Sequence, residues 1–173
     1  MTIIEDTRQQ VGQHKLKLEY FERKGISVVR SKLPAGDYAL LTDMSRVVDT
    51  KQDLQEVYSN LIQQHERFRR EADFCKDNGI KLTILVEEPG IYRLDDVRRW
   101  KNPRMQRYEK IKAMHDQGKW KKIPEKKPPV NGEQLWKIMY TFAERHGVMW
   151  RFTSPQNAGR AVMYLLTGED YGK

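Results

Sequence analysis

GDYALLTDMSRVVDTKQDL, Gly36 to Leu54, is the stretch on which the reading of this 173-residue chain turns. Gly36-Asp37-Tyr38 opens one strand, Asp43 to Ser45 make a turn, and a second strand ends in Asp49-Thr50-Lys51. If these strands pair as a hairpin, Asp37 and Asp49 come from neighbouring strands and can share one divalent ion. Their hard oxygens suit Mg²⁺ or Mn²⁺. Lys51 lies two residues beyond Asp49 and therefore projects from the same face of its strand.

An acid, a gap of eleven residues, then acid-x-Lys is the pattern of the PD-(D/E)xK type of phosphodiester chemistry. The metal activates water and the ammonium offsets charge that builds on the attacked phosphate. D-x-K alone is a weak signal, because a surface hairpin with a solvated charged end has the same composition. The rest of the chain supplies the context.

The length fits one domain, residues 1–173, with 38% hydrophobic content. No apolar run reaches the roughly 18 residues of a membrane span and no signal-peptide pattern is present, so the expected location is cytoplasmic. One cysteine, Cys75, leaves no internal disulfide or cysteine-rich zinc site, and it follows Phe68 and Ala72 at helical spacing as a packed thiol. From Arg93 to Val130 there are thirteen Lys and Arg against five Asp and Glu, which accounts for the whole formal charge of +8. One irregular insertion, about 93–130, thus carries the excess and points to a polyanion.

Taken in order, the chain alternates in the α/β manner. A strand over Thr2 to Glu5 leads through Asp6-Thr7-Arg8-Gln9-Gln10 into a helix over Gln13 to Lys24. That helix turns Leu16, Tyr20 and Phe21 inward and is closed by Gly25. Ile26 to Arg30 is the next strand, followed by the hairpin. Leu54, Val57, Tyr58, Leu61, Ile62, His65, Phe68 and Ala72 recur at three and four, which predicts one long helix from Gln52 to Lys76 with His65 packed in the core. Its polar side would bring Gln64 or Arg67 to a DNA phosphate. Ile80 to Glu87 reads as a central strand, with Glu87 and Glu88 as its polar end. Gly90-Ile91-Tyr92 spells half of a GIY-YIG motif, but no Tyr-Ile-Gly follows.

The insertion is broken by Asn102-Pro103, Gly118, Pro124 and Pro128-Pro129, with a short helix over Arg104 to Met114. Arg98, Arg99, Lys101, Arg104 and Arg107 are its candidate phosphate contacts. Trp100, Tyr108 and Trp120 either stack on unpaired bases or pin the loop to the domain, and Lys119 to Val130 reads as mobile. A helix from Gly132 to about His146, a strand over Val148 to Phe152 and a final helix from Ser154-Pro155 to Leu166 complete the chain.

With Ile4-Glu5-Asp6-Thr7-Arg8, Gly36-Asp37-Tyr38, Val47-Val48-Asp49-Thr50-Lys51 and Leu85-Val86-Glu87 in this order, the sequence resembles the nuclease domain of the XPF family of structure-specific endonucleases. The resemblance is closest from Thr2 to Glu88. It implies a restriction-endonuclease-like fold, a central mixed sheet flanked by helices, in a stand-alone form like those of bacteria and phages. It implies Asp37 and Asp49 as metal ligands, Lys51 as the catalytic lysine, Asp6 close to the metal, Arg8 near the scissile phosphate and the Thr50 carbonyl as a further ligand. The activity implied is Mg²⁺- or Mn²⁺-dependent hydrolysis of branched or structured DNA by in-line attack of a metal-bound water, in DNA repair or recombination. A homodimer or a separate DNA-processing partner is implied as well. Gln9 stands where the family has glutamate, Asp49 replaces the glutamate of its V-E-R-K motif, and Thr50 replaces the arginine. The alternative is a catalytically silent DNA-binding or partner-docking domain of the same fold. A third reading is a nuclease for RNA or duplex ends.

Overall fold

A computed structural model of the chain describes residues 1–9, 12, 14–119 and 127–170. Six strands form one mixed sheet: β1 (Thr2–Asp6), β2 (Ser27–Ser31), β3 (Tyr38–Leu40), β4 (Arg46–Lys51), β5 (Lys81–Val86) and β6 (Met149–Phe152), in the spatial order β2-β1-β3-β4-β5-β6. β3 runs antiparallel to β1 and β4, and the other pairings are parallel. Parallel neighbours need long crossovers, and helices supply them. α1 (Lys15–Arg23) joins β1 to β2, while α2 (Leu54–Tyr58), a π turn (Ser59–Gln63) and α3 (His65–Asp77) join β4 to β5. A 3₁₀ turn (Leu94–Arg99), α4 (Pro103–Asp116) and α5 (Gly132–His146) lead to β6, and α6 (Ala158–Thr167) follows it.

Both faces of the sheet are covered, so its strands read as apolar runs. Val47, Ile84 and Val86 pack on one side against Phe68, Met139 and Phe142, while Val48 and Leu85 pack on the other against Phe21, Met163 and Leu166. The hairpin forms as expected, with Tyr38 opposite Val48 and Ala39 opposite Val47, and the Asp43 carboxylate accepts from Ser45 N–H at 2.8 Å in the turn. Gly36 has φ +70°, and a Cβ there would lie 3.1 Å from Val47 Cβ and 3.2 Å from the Val48 carbonyl oxygen. Only glycine makes that corner, and Asp37 is the residue it delivers.

Three expectations need correction. The helix over Gln52 to Lys76 is not continuous: it opens into the π turn and breaks at Gln64, whose φ of −114° and ψ of 26° are not helical. The wide turn shifts the phase of the apolar stripe, so Ile62 and His65 are exposed rather than buried, although His65 keeps an edge contact with Phe142. In α1, Leu16 is 49% exposed and Lys17 only 3%. Lys17 stands three and four residues before Tyr20 and Phe21, hence on their face, and a buried carboxylate receives it. Trp100 packs against the core, as the pinning reading expects. Gln13, Trp120 and most of the stretch read as mobile lie outside the described residues. No helix among the described residues is long and apolar enough to cross a membrane.

Candidate active site

The Gly36-Asp37 corner before β3, the end of β4, α2, the π turn and α3 together wall a cavity of about 430 Å³ at one end of the sheet. Asp37, Asp49, Thr50 and Lys51 all line it, and so do Arg8, Gln64 and Arg67. The acid-acid-lysine set read from the hairpin is therefore brought together.

Each member is held by its neighbours. Asp37 N–H donates to Val48 O at 2.8 Å, and Asp37 O accepts from Asp6 N–H at 2.8 Å, which clamps the residue between β1 and β4. Its Oδ2 accepts from Thr50 N–H at 2.7 Å and Thr50 Oγ1 at 2.8 Å. Thr50, where the resembled pattern has arginine, thus fixes one oxygen of Asp37. Asp49 and Lys51 are both buried on the same face of β4. Lys51 Nζ donates to Asp49 Oδ1 at 2.8 Å and lies 2.6 Å from Oδ2, but without hydrogen-bond geometry to the latter, so Oδ2 is a buried oxygen with no hydrogen bond.

The electrostatics follow from that burial. Loss of water pushes the Asp49 carboxyl well above the usual carboxylate range, Lys51 opposes this, and the charges of Asp37 and Glu71 add to it. For Lys51 burial works against the charged form, but Asp49, Asp37 and Glu56 outweigh it and hold the ammonium above its ordinary value. The site thus crowds negative charge around one buried cation, Lys51.

Asp6 has a different position. Its carboxylate accepts from Arg8 N–H at 2.7 Å, Arg8 Nε at 2.7 Å and Leu33 N–H at 2.6 Å, so both oxygens are engaged. It orients Arg8 at the cavity wall and does not itself line the cavity. Of the basic insertion, Arg104 reaches the cavity, 5.2 Å over the Tyr58 ring. Arg98, Arg99, Lys101 and Arg107 do not. Arg98 stacks on Trp136 at 3.3 Å and pairs with Glu133 at 2.9 Å.

Glu71 was not singled out in the sequence. It lies on α3, lines the cavity, and its Oε1 accepts from Gly36 N–H at 2.8 Å. A glutamate four residues after Arg67 on a helix reads as solvated, and the one available signal is its place one turn beyond Arg67 and two beyond Gln64. Asn60, buried at the π turn, also lines the cavity. π turns recur at functional sites because they turn extra side chains out of the helical register.

Among the described residues, no three side chains of ligating type form a ready cage for a metal. The donor set still fits Mg²⁺ or Mn²⁺. Mg²⁺ keeps several waters and takes one or two carboxylates plus substrate phosphate, and here Asp49 Oδ2 is buried without a hydrogen bond while Asp37 has only Oδ2 engaged.

The ERCC4 domain model matches residues 5–154. Among solved structures the chain is similar to XPF from Aeropyrum pernix, with a TM-score of 0.59 and 17% identity over 95% of this chain and 63% of that one. It is equally similar to that protein's complex with DNA, at 0.59 and 17%, covering 95% and 62%. This likeness shows the fold, and the chain spans less than two thirds of the length of that protein. No curated protein matches the sequence.

Proposed function

The chain belongs to the ERCC4 domain family of structure-specific DNA nucleases, and from that premise we propose that it is a Mg²⁺- or Mn²⁺-dependent endonuclease that hydrolyses phosphodiester bonds in branched or otherwise structured DNA. The observation that carries this reading is the convergence of Asp37, Asp49 and Lys51 on one cavity, with a buried Asp49 oxygen left without a hydrogen bond. The solved complex of Aeropyrum pernix XPF with DNA supports DNA as the partner.

Asp37 and Asp49, with the Thr50 carbonyl, are the residues that would hold the ion. When bound, the ion supplies Lewis-acid polarisation of a phosphoryl oxygen and a water acidic enough to attack at neutral pH. The protein's own work is placement. Thr50 and Asp6 fix Asp37 through hydrogen bonds, and Glu71 holds the Gly36 corner in front of it. Lys51 sets a permanent positive charge beside the carboxylates, where it favours the extra negative charge of the pentavalent phosphorus. Arg8, held by Asp6, and Gln64, Arg67 and Arg104 line the same cavity and offer donors to the phosphates on either side. Water adds to phosphorus, the P–O ester bond breaks, and the departing sugar oxygen takes a proton.

The test is cleavage of labelled flap, fork, junction, linear duplex and single-stranded DNA with Mg²⁺, Mn²⁺ or EDTA. Native protein is compared with Asp37→Ala and Lys51→Ala. Metal-dependent cutting that both substitutions abolish supports the proposal and ranks the substrates. DNA binding with no cutting in any metal replaces it with the silent binding domain.

A further inference from the structure

Asn102, at the start of α4, and Val130, just before α5, are joined by one buried side chain. Asn102 is 3% exposed. Its Nδ2 donates to Val130 O, 28 positions away, at 2.8 Å, and its Oδ1 accepts from Gln55 Nε2 at 2.9 Å and from Arg104 N–H at 3.0 Å. The same amide therefore caps α4 and ties its root to α2 and to Val130. α2 is the helix entered directly after Lys51. The root of α4 is fixed relative to the cavity, and Arg104 in its first turn lines that cavity.

Beyond the root, α4 is 14 residues long and buries none of them. That length is about 21 Å at the helical rise per residue. Arg104, Arg107, Lys110 and Lys112 are exposed, whereas Met105, Tyr108, Ile111 and Met114 are half-buried, and no large apolar side chain of α4 is among the exposed ones. A helix that shows four cations against the two acids Glu109 and Asp116, and no fully exposed large apolar side chain, offers little to a protein partner. A second copy of a chain with formal charge +8 would be repelled by it. An unpaired strand would want exposed rings to stack on, and α4 exposes none.

We propose that α4 is an arm that lies along duplex DNA next to the cut, so that the protein grips a run of phosphates beyond the scissile one in register with the active site. This rests on the nuclease reading and adds to it a substrate requirement: a duplex segment on one side of the cut, about as long as α4. At the phosphate spacing of B-DNA, that is about six phosphates of one strand.

The experiment is fluorescence polarisation with labelled duplexes of graded length in EDTA, where nothing is cut, at 50 to 200 mM salt. Native protein is compared with the triple variant Arg107→Ser, Lys110→Ser, Lys112→Ser, and Mn²⁺ binding is followed by calorimetry as a control on the cavity. The triple variant is expected to bind long duplex about tenfold more weakly or worse, with a log-affinity against log-salt slope shallower by about two to three. It should also lose the gain in affinity that native protein shows as the duplex lengthens, and keep its Mn²⁺ affinity. Asn102→Ala, which keeps every cation but frees the root, is expected to weaken binding about three- to tenfold at an unchanged slope, because the arm is no longer pre-positioned. A triple variant with native affinity, slope and length dependence overturns the arm. So does one that loses self-association in sedimentation while its DNA affinity stays native. If native protein binds no DNA at all, the nuclease reading fails first, an outcome distinct from both.

Discussion

At one end of the sheet the two faces carry two clusters of charge, one centred on β4 and the other on β1 and the end of β5. On the front face, Asp37, Asp49, Lys51 and Glu71 surround a cavity and leave a buried oxygen without a hydrogen bond. On the back face, the Tyr38 hydroxyl donates to Glu5 at 3.2 Å, Arg30 pairs with Glu5 at 3.3 Å, and Lys17 is bonded to Glu87 with both side chains buried. Buried charge is common to both, so it does not mark the functional side. The difference is what lines the space: the front cavity, of about 430 Å³, gathers carboxylates with lysine and arginine cations where a metal ion and a phosphate fit, whereas the back recess, of about 290 Å³, is lined by the closed Lys17–Glu87 pair and by His14, whose Nε2 is buried without a hydrogen bond.

The sharpest way to break this contrast is a pair of substitutions, one on each face. Asp37→Asn keeps an acceptor for Thr50 and so should preserve the fold, while metal-dependent cleavage falls by about three orders of magnitude or more, as expected when a ligand charge is lost from a metal-assisted hydrolysis. Glu87→Ala should do the reverse. It strands the Lys17 ammonium in the interior, which costs about 3–5 kcal/mol, while cleavage per folded molecule stays near native. Urea unfolding and single-turnover cleavage of both variants decide the matter. If Glu87→Ala abolishes cutting at unchanged stability, the back cluster belongs to the site and the contrast is wrong.

This contrast also explains what the sequence could reveal. Asp37, Asp49 and Lys51 were legible because a hairpin is local: spacing and period-two alternation are enough to place three side chains. The apolar strands and the crossover helices were legible for the same reason. Lys17 was not, since its burial depends on Glu87, 70 positions away, and a lysine next to Leu16 reads as surface. Glu71 was missed because its partner is a backbone N–H at Gly36, which leaves no trace in residue type. The break at Gln64 was hidden because Leu54, Val57, Leu61, Phe68 and Ala72 keep helical spacing across the π turn, so that only Ile62 and His65 reveal the change of phase. Nothing in the sequence around Arg98 shows that Trp136 and Glu133, from another helix, hold it.

Glu71 offers a finer test on the front face, because it combines a charge near the carboxylates with a hydrogen bond to the Gly36 corner. Glu71→Gln retains an acceptor for Gly36 N–H and removes only the charge, whereas Glu71→Ala removes both. Leaving that N–H without a partner is expected to cost about 1–3 kcal/mol in the alanine variant, with a matching fall in cleavage as Asp37 loses its fixed corner. The glutamine variant should keep native stability and lose only Mn²⁺ affinity, measured by calorimetry. Equal behaviour of the two variants would show that the hydrogen bond does not position Asp37.

The smallest expected effect separates two carboxylates that touch the same end of the sheet. At Asp6, burial raises the pKa, but the hydrogen bonds from the Arg8 side chain and from the N–H groups of Arg8 and Leu33, with the Arg8 charge, prevail and hold it below 3.8. Its contribution to stability is therefore present above the unfolded value and lost as pH falls through the lower folded value. Asp49 runs the other way. Its folded value lies well above 3.8, chiefly through burial, so its contribution is complete below the unfolded value and is lost as pH rises through the raised one. Urea midpoints in EDTA across pH 3 to 8 should thus fall at the acid end because of Asp6 and sag on the rising side because of Asp49. Asp6→Asn should remove the first slope and Asp49→Asn the second, each leaving the other in place. A native profile that is flat above pH 4 and unchanged by Asp49→Asn would mean that water already reaches this carboxylate. In that case its oxygen without a hydrogen bond is simply solvated, and the two faces of the sheet differ less than their geometry implies.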